Sequence, residues 1–364
     1  MTRLLLLATA SLLLTGPARA DDMVATAKAA VAAATGRVSE WKGPTTGPKA
    51  ATGKTIIFVS GDQKNGGILG VSTGVEEAGA AIGWTVRTLD GQGTVSARTA
   101  ALDQALALKP DGIVVGGFDT NEQKVGFKQA ADAGIPLVGW HSGPKPGPDA
   151  EAGLFANVTS VSADVAATAA QAAVADSNGH AGVVIFTDSQ YQIALFKARA
   201  MEAVIKQCPG CTVLSFEDSP IAESSSRMPQ LTTSLLQRFG DKWTYSLAIN
   251  DAYFDFMPPS LSAAGIKGDG APHAISAGDG SESAYERIRT KQYQMATVPE
   301  PLNMQGWQLV DELNRAFAKQ PWSGFVPGIH LVTTDNVAFD GGPNNVFDPD
   351  NGYRDHYKAI WAGK

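Results

Sequence analysis

The chain has little cysteine, no surplus of positive charge and, beyond its first twenty residues, no long apolar run. Two cysteines in 364 residues cannot build the multi-bridge framework of a small disulfide-rich protein. They also make a poor metal site, because none of the five histidines lies near them in sequence. Acidic residues outnumber basic ones by 36 to 29, which argues against a nucleic-acid surface. No later stretch reaches the ~20 apolar residues that a membrane helix needs. With 44% hydrophobic residues, a packed globular protein is expected, and the length suits two domains of ~100–200 residues each.

At the start, Arg3, the apolar run "LLLLATASLLLT" and the small residues of "GPARA" have the layout of a cleavable secretory signal over residues 1–20. The mature chain is then expected to begin at Asp21 and to work outside the cytoplasm. In that setting Cys208 and Cys211, in "CPGCTV", are expected to form a short-loop disulfide. They follow a helical pattern and precede the strand "TVLSF", the reverse of a redox CxxC, so a structural staple is favoured. The stretch "GPKAATGKT" (47–55) imitates a phosphate-binding loop but has five residues between its glycines where four are needed. It also leads into a strand, so no helix N-terminus is available for a phosphate.

Residues 22–35 are Ala-rich and helical in pattern, and a Pro/Gly-rich connector runs on to residue 53. From Lys54 short β-branched runs bounded by Gly or Pro alternate with helical periodicity: "TIIFVS", "WTVRTL", "DGIVVG" and "IPLVGW" are strands with helices between them. The rhythm restarts after residues 155–160 with "GVVIFT", "TVLSF", "YSLAIN", "HAIS" and "QMATV". Two α/β halves are implied, each a parallel sheet covered on both faces. After Asn336 the tail is turn-rich, with a possible closing helix.

In order and spacing, residues 54–335 resemble the periplasmic sugar-binding proteins of ABC transporters, the group typified by ribose- and galactose-binding proteins. The resemblance is carried by "TIIFVS", "ALKPDGIVVGG", "AADAGIPLVGW", "LAIND", "SAGDGSESAYERIR", "MATVPEPLNMQGWQLVDEL" and "LVTTDNV". It implies the type I periplasmic binding protein fold: two doubly wound parallel-sheet lobes joined by a three-crossing hinge. Lobe 1 would be 54–158 plus 301–328, and lobe 2 would be 159–300 plus 329–364. It further implies a monomer that needs no cofactor and passes a small-molecule ligand to a membrane permease. A protein that presents its ligand to a membrane sensor or chemoreceptor would share the same sequence features.

The resemblance places ligand contacts at Asn65, Ile68, His141, Ser142, Asn250, Asp279 and Glu300, all at strand ends, turns or crossings. Trp140 could add a stacking face, and Tyr191 and Asp251 join the set by position. Each has a plainer reading. Asn65 could be a turn residue, Asp279 a turn former in "GDG" and Glu300 a hinge ion pair; Asn250 could cap a helix, with Asp251 the favoured cap. The family's arginine in the helix after "GVVIFT" has no counterpart at Ala194 or Phe196, and Arg199 lies a turn later. With two guanidiniums lost and a carboxylate gained, the cleft is expected to be acidic and to suit a sugar, a polyol or a small cation. The remaining rival is a hydrolase using Ser142. "GWHSG" has the order G-x-x-S-G, not G-x-S-x-G, and adjacent strand residues face opposite sides, so His141 cannot readily serve Ser142 there. No catalytic residue is therefore assigned.

Overall fold

The structure is a computed structural model and describes residues 17–364, so residues 1–16 of the expected leader lie outside it. In the first sheet, strands β1 (Thr55–Ser60), β2 (Thr85–Asp90), β3 (Gly112–Gly116), β4 (Leu137–Trp140), β5 (Gly147–Asp149) and β6 (Leu154–Val158) lie in the order β2-β1-β3-β4-β6-β5. In the second, β7 (Gly182–Thr187), β8 (Thr212–Asp218), β9 (Tyr245–Ala248), β10 (His273–Ser276), β11 (Gln294–Thr297) and β12 (Val332–Thr333) lie in the order β12-β11-β10-β9-β7-β8. Both central regions are parallel, and each sheet reverses its winding beside its first strand, at β1/β3 and at β7/β9. Ligands of open α/β sheets bind at such switch points, beyond the carboxyl ends of the strands.

Continuous apolar runs form the central strands because helices cover both faces; β1, β3, β4 and β7 are buried along nearly their whole length. The covering helices are α1 (Pro17–Ala34), α2 (Gly66–Ala81), α3 (Val95–Ala107), α4 (Lys124–Asp132), α5 (Ser162–Asp176), α6 (Gln192–Gln207) and α7 (Ser224–Phe239). They continue with α8 (Pro258–Ala263), α9 (Glu282–Thr290), α10 (Leu302–Phe317), α11 (Val337–Asp340) and α12 (Tyr353–Trp361). Each sheet also carries one antiparallel edge strand, β5 and β12. Three-residue β5 has no alternation long enough to be seen in the sequence.

The chain passes between the lobes at 158–161, 298–301 and 318–331, and twice more. Helix α1 packs on α5, with Ala27 and Ala34 in the core of the second lobe. The connector then crosses to the first lobe, where Asn314 donates to the Pro48 carbonyl (2.9 Å) and accepts from the Ala51 N–H (2.9 Å). At the other end α11 packs on α9, whereas α12 packs on α10 and sends Tyr353, Tyr357, Ile360 and Trp361 into the first lobe's core. The tail 329–364 therefore does not lie whole in lobe 2. Its aromatic face finds Trp307 of α10, with Trp361 stacked on it at 5.4 Å, and that docking draws the last helix across.

Cys208 and Cys211 form a disulfide at the C-terminal end of α6. That end lies about 24 Å from the helix N-terminus, at ~1.5 Å per residue.

Candidate functional site

A cavity lies between the lobes at the carboxyl ends of both sheets, where the two switch points face each other. From the first lobe it is lined by Asp62, Asn65, Ile68, Gly93, Gly117, Trp140 and His141. From the second come Tyr191, Ile193, Ala194, Lys197, Ile221, Ala222, Ile249, Asn250 and Asp279.

Local structure explains each placement on the first-lobe wall. Asn65 caps α2, its Oδ1 accepting from the Gly67 and Ile68 N–H groups at 2.9 and 3.3 Å. That spends the oxygen and leaves the amide nitrogen for the cavity. Ile68 lies against Gly117, where a Cβ would come within 2.7 Å of its Cδ1, so the backbone there must be bare. His141 follows the last residue of β4 with φ of 54°, and this left-handed turn lays its ring on Trp140 at 3.7 Å between centroids. Trp140 is in turn fixed by its Nε1, which donates to Gln305 Oε1 at 2.7 Å. The indole and the imidazole are thus held as one stacked pair, and both residues line the cavity.

The floor is an ionic cluster drawn from both lobes. Asp279 receives a hydrogen bond from Asn250 Nδ2 at 2.7 Å and stands 3.7 Å from His141 Nδ1 and 3.9 Å from Lys197 Nζ. Lys197 is buried and donates to the Ala277 carbonyl at 2.9 Å. Burial pushes the Asp279 carboxyl above the usual carboxylate range, and the charges of His141 and Lys197 offset only part of that. Glu300 has the opposite balance. Burial pushes it up too, but hydrogen bonding and charge from His141, with Lys197 and Ser160, outweigh burial and hold it at about 2.

Three expected contacts do not reach the cavity wall. Glu300 is taken up by Ser160 (2.5 Å), Gln305 (2.6 Å) and His141 (3.4 Å), so it orients the imidazole from behind. Ser142 is fully buried with its Oγ unpartnered and pressed on Gly139, where a Cβ would meet it at 2.2 Å; no bond joins it to His141. Asp251 accepts from Gly280 N–H (2.8 Å) and Gln294 Nε2 (2.7 Å), which fastens the turn carrying Asp279. A separate short helical turn, Asp251–Asp255, is capped by Asn250, whose Oδ1 accepts from Ala252 N–H at 2.9 Å, and not by Asp251.

The charged floor residue absent from the expected set is Lys197; Ile193, Ile221 and Ile249 of the lining are absent from it too. Phe196 is 44% exposed, and Arg199 turns outward to Glu202 at 2.8 Å, so neither supplies a cation to the cleft. Lys197 does, and its signal was readable: Ile193, Lys197, Met201 and Ile205 recur at four-residue spacing on the buried face of α6. A lysine on an apolar stripe needs a partner. With it in place the floor carries both signs of charge.

Residues 56–321, more than half the chain, match the family model described as periplasmic binding protein domain. Among solved structures, the fold is similar to that of an ABC transporter solute-binding protein from Agrobacterium vitis with bound allitol. That pair shares 19% identity and a TM-score of 0.66, over 78% of this chain and 97% of that one. A solute-binding protein from Bacillus halodurans with bound myo-inositol is similar at 19% identity and a TM-score of 0.67, over 79% and 97%. A sugar ABC transporter protein from Yersinia enterocolitica reaches a TM-score of 0.70 at 16% identity, over 92% and 97%. No curated protein sequence matches the chain.

Proposed function

We propose, from the premise that this chain belongs to the periplasmic binding protein domain family, that it captures a small polyhydroxylated molecule between its lobes and delivers it to an ABC transporter permease. In this reading residues 1–20 are a cleaved leader, the mature protein is a periplasmic monomer, and it catalyses no reaction. The observation that carries the reading is the buried floor, where Asp279, Lys197, Asn250 and His141 converge at the strand ends of both lobes.

Neighbouring hydroxyls of a sugar or polyol need donors and acceptors side by side, and Lys197 beside Asp279 supplies both with charge-assisted strength. Ile68, Ile193, Ile221 and Ile249 offer an aliphatic surface to the C–H faces between those hydroxyls. Allitol and myo-inositol, bound by two of the structural neighbours, are molecules of this class. With the lobes as they stand the cavity holds about 60 Å³.

The test is to denature the protein purified from its native cells and identify the released small molecule by mass spectrometry. A polyol or sugar in stoichiometric amount is expected. A peptide, a nucleotide or a cationic amine would overturn the assignment. If the ligand-loaded protein raises ATP hydrolysis by its reconstituted permease, delivery to a transporter stands; if it leaves that rate unchanged, the sensor role replaces it.

A further inference from the structure

Helix α6 begins at the mouth of the cleft, and none of its own side chains caps it: Tyr191, at the cap position, makes no such bond. The cap comes from the other lobe. Asp119, in the loop after β3, accepts from the Gln192 backbone N–H at 2.7 Å and from Gln192 Nε2 at 2.8 Å. Asp119 is held in this pose by its own lobe, through the Asn121 and Glu122 N–H groups at 2.9 and 3.3 Å. Beside it Arg98 is fully buried and paired in two places with Glu122, at 2.9 and 2.6 Å, and it donates across the seam to Tyr191 Oη at 2.6 Å. Neither Asp119 nor Gln192 lines the cavity.

We propose that Asp119 is a positioning residue that sets the affinity of the cleft by capping a helix of the opposite lobe, without touching the ligand. The inference rests on the capture reading above. When the lobes part, Asp119 keeps its local bonds, whereas the first turn of α6 loses its acceptor to water. Closure therefore carries the free energy of one helix cap and one charge-assisted hydrogen bond before any ligand enters. Apparent affinity scales with the fraction of molecules already in the binding-competent state. Removing the cap then weakens every ligand by one common factor, roughly 3- to 10-fold, and leaves the ranking of ligands intact.

The experiment needs no ligand. Nitroxides on Val125→Cys and Ser225→Cys, at exposed positions in the first turns of α4 and α7, report the width of the mouth by pulsed electron resonance. Asp119→Ala should move the distance distribution to longer values at unchanged far-UV circular dichroism. Asp119→Asn, which keeps an acceptor oxygen, should restore part of the short population. Ala222→Trp serves as a wedge, because a Cβ on the facing Gly93 would already lie 2.8 Å from Ala222 Cβ. If the wedge lengthens the distance and Asp119→Ala does not, the cap proposal fails while closure stands. If neither lengthens it, the lobes do not move and the capture reading falls as well.

Discussion

The floor and the mouth of the cleft both join the lobes, but with different chemistry. At the floor, Asp279 lies 3.7 Å from His141 and 3.9 Å from Lys197, too far for direct hydrogen bonds. At the mouth, Arg98–Tyr191 and Asp119–Gln192 meet at 2.6–2.8 Å with every partner satisfied. One region presents its charged and polar groups to the cavity; the other pairs its groups directly across the seam. In the proposed function, selectivity belongs to the first and the resting closure equilibrium to the second.

That contrast is broken most severely at Asp279. Asp279→Asn should lower affinity about 100-fold, as expected for loss of charged hydrogen bonds to a ligand. Thermal unfolding should shift by only a few degrees, about what ~1 kcal/mol produces, because burial already makes the charged carboxyl costly. Calorimetric titration beside a melting curve checks both halves; a large loss of stability would make Asp279 a fold residue instead.

Glu300 sharpens the contrast from behind the floor. Its pKa is depressed from 4.5 to about 2, so the stability it supplies is fully present above pH 4.5 and is lost as pH falls through about 2. The gap in unfolding free energy between wild type and Glu300→Gln should be on the order of 3 kcal/mol at pH 7 and should close on acidification to pH 2. Glu300→Gln should also weaken binding about 10-fold, the size of one lost hydrogen bond that orients His141. A gap independent of pH would show that the glutamate is not held as a carboxylate.

At the mouth the expected loss is smaller, the common 3- to 10-fold factor of Asp119→Ala. A change in ligand ranking there would erase the division between floor and mouth. The smallest effect is reserved for the far end of α6. Cys208→Ser with Cys211→Ser should leave binding unchanged and cost at most about 2 kcal/mol, the loop-entropy value for so short a ring. A change in affinity would mean that α6 transmits strain from its disulfide to its cavity end.

How much of this was legible in the sequence follows from how local each cause is. The strands could be read because apolar runs bounded by turns record burial on both faces, and their polar ends marked the cleft. The lobe assignment of α1 and α12 could not, because an Ala-rich helix and an aromatic tail carry no address for the surface they dock on. The family's arginine position falls at Ala194 or Phe196, which hides Lys197, while the four-residue spacing of α6 marks it as a buried cation. Asn250 takes both the cap and the cavity position, and Asp251 the turn at Gly280, since either side chain can cap and only that tertiary turn decides between them. Asp119 could not be found at all from local pattern, because the helix it caps lies 73 residues away.

The most direct test is a thermal-shift screen of sugars and polyols against wild type and Asp279→Asn in parallel. Stabilisation by a specific ligand grows with its concentration relative to its dissociation constant. The structure leads us to expect at least one polyhydroxylated compound that raises the melting temperature of wild type in a dose-dependent way and leaves Asp279→Asn unmoved. Stabilisation that survives in Asp279→Asn, or none from any compound of this class, would contradict the assignment of the floor as the place where the ligand is held.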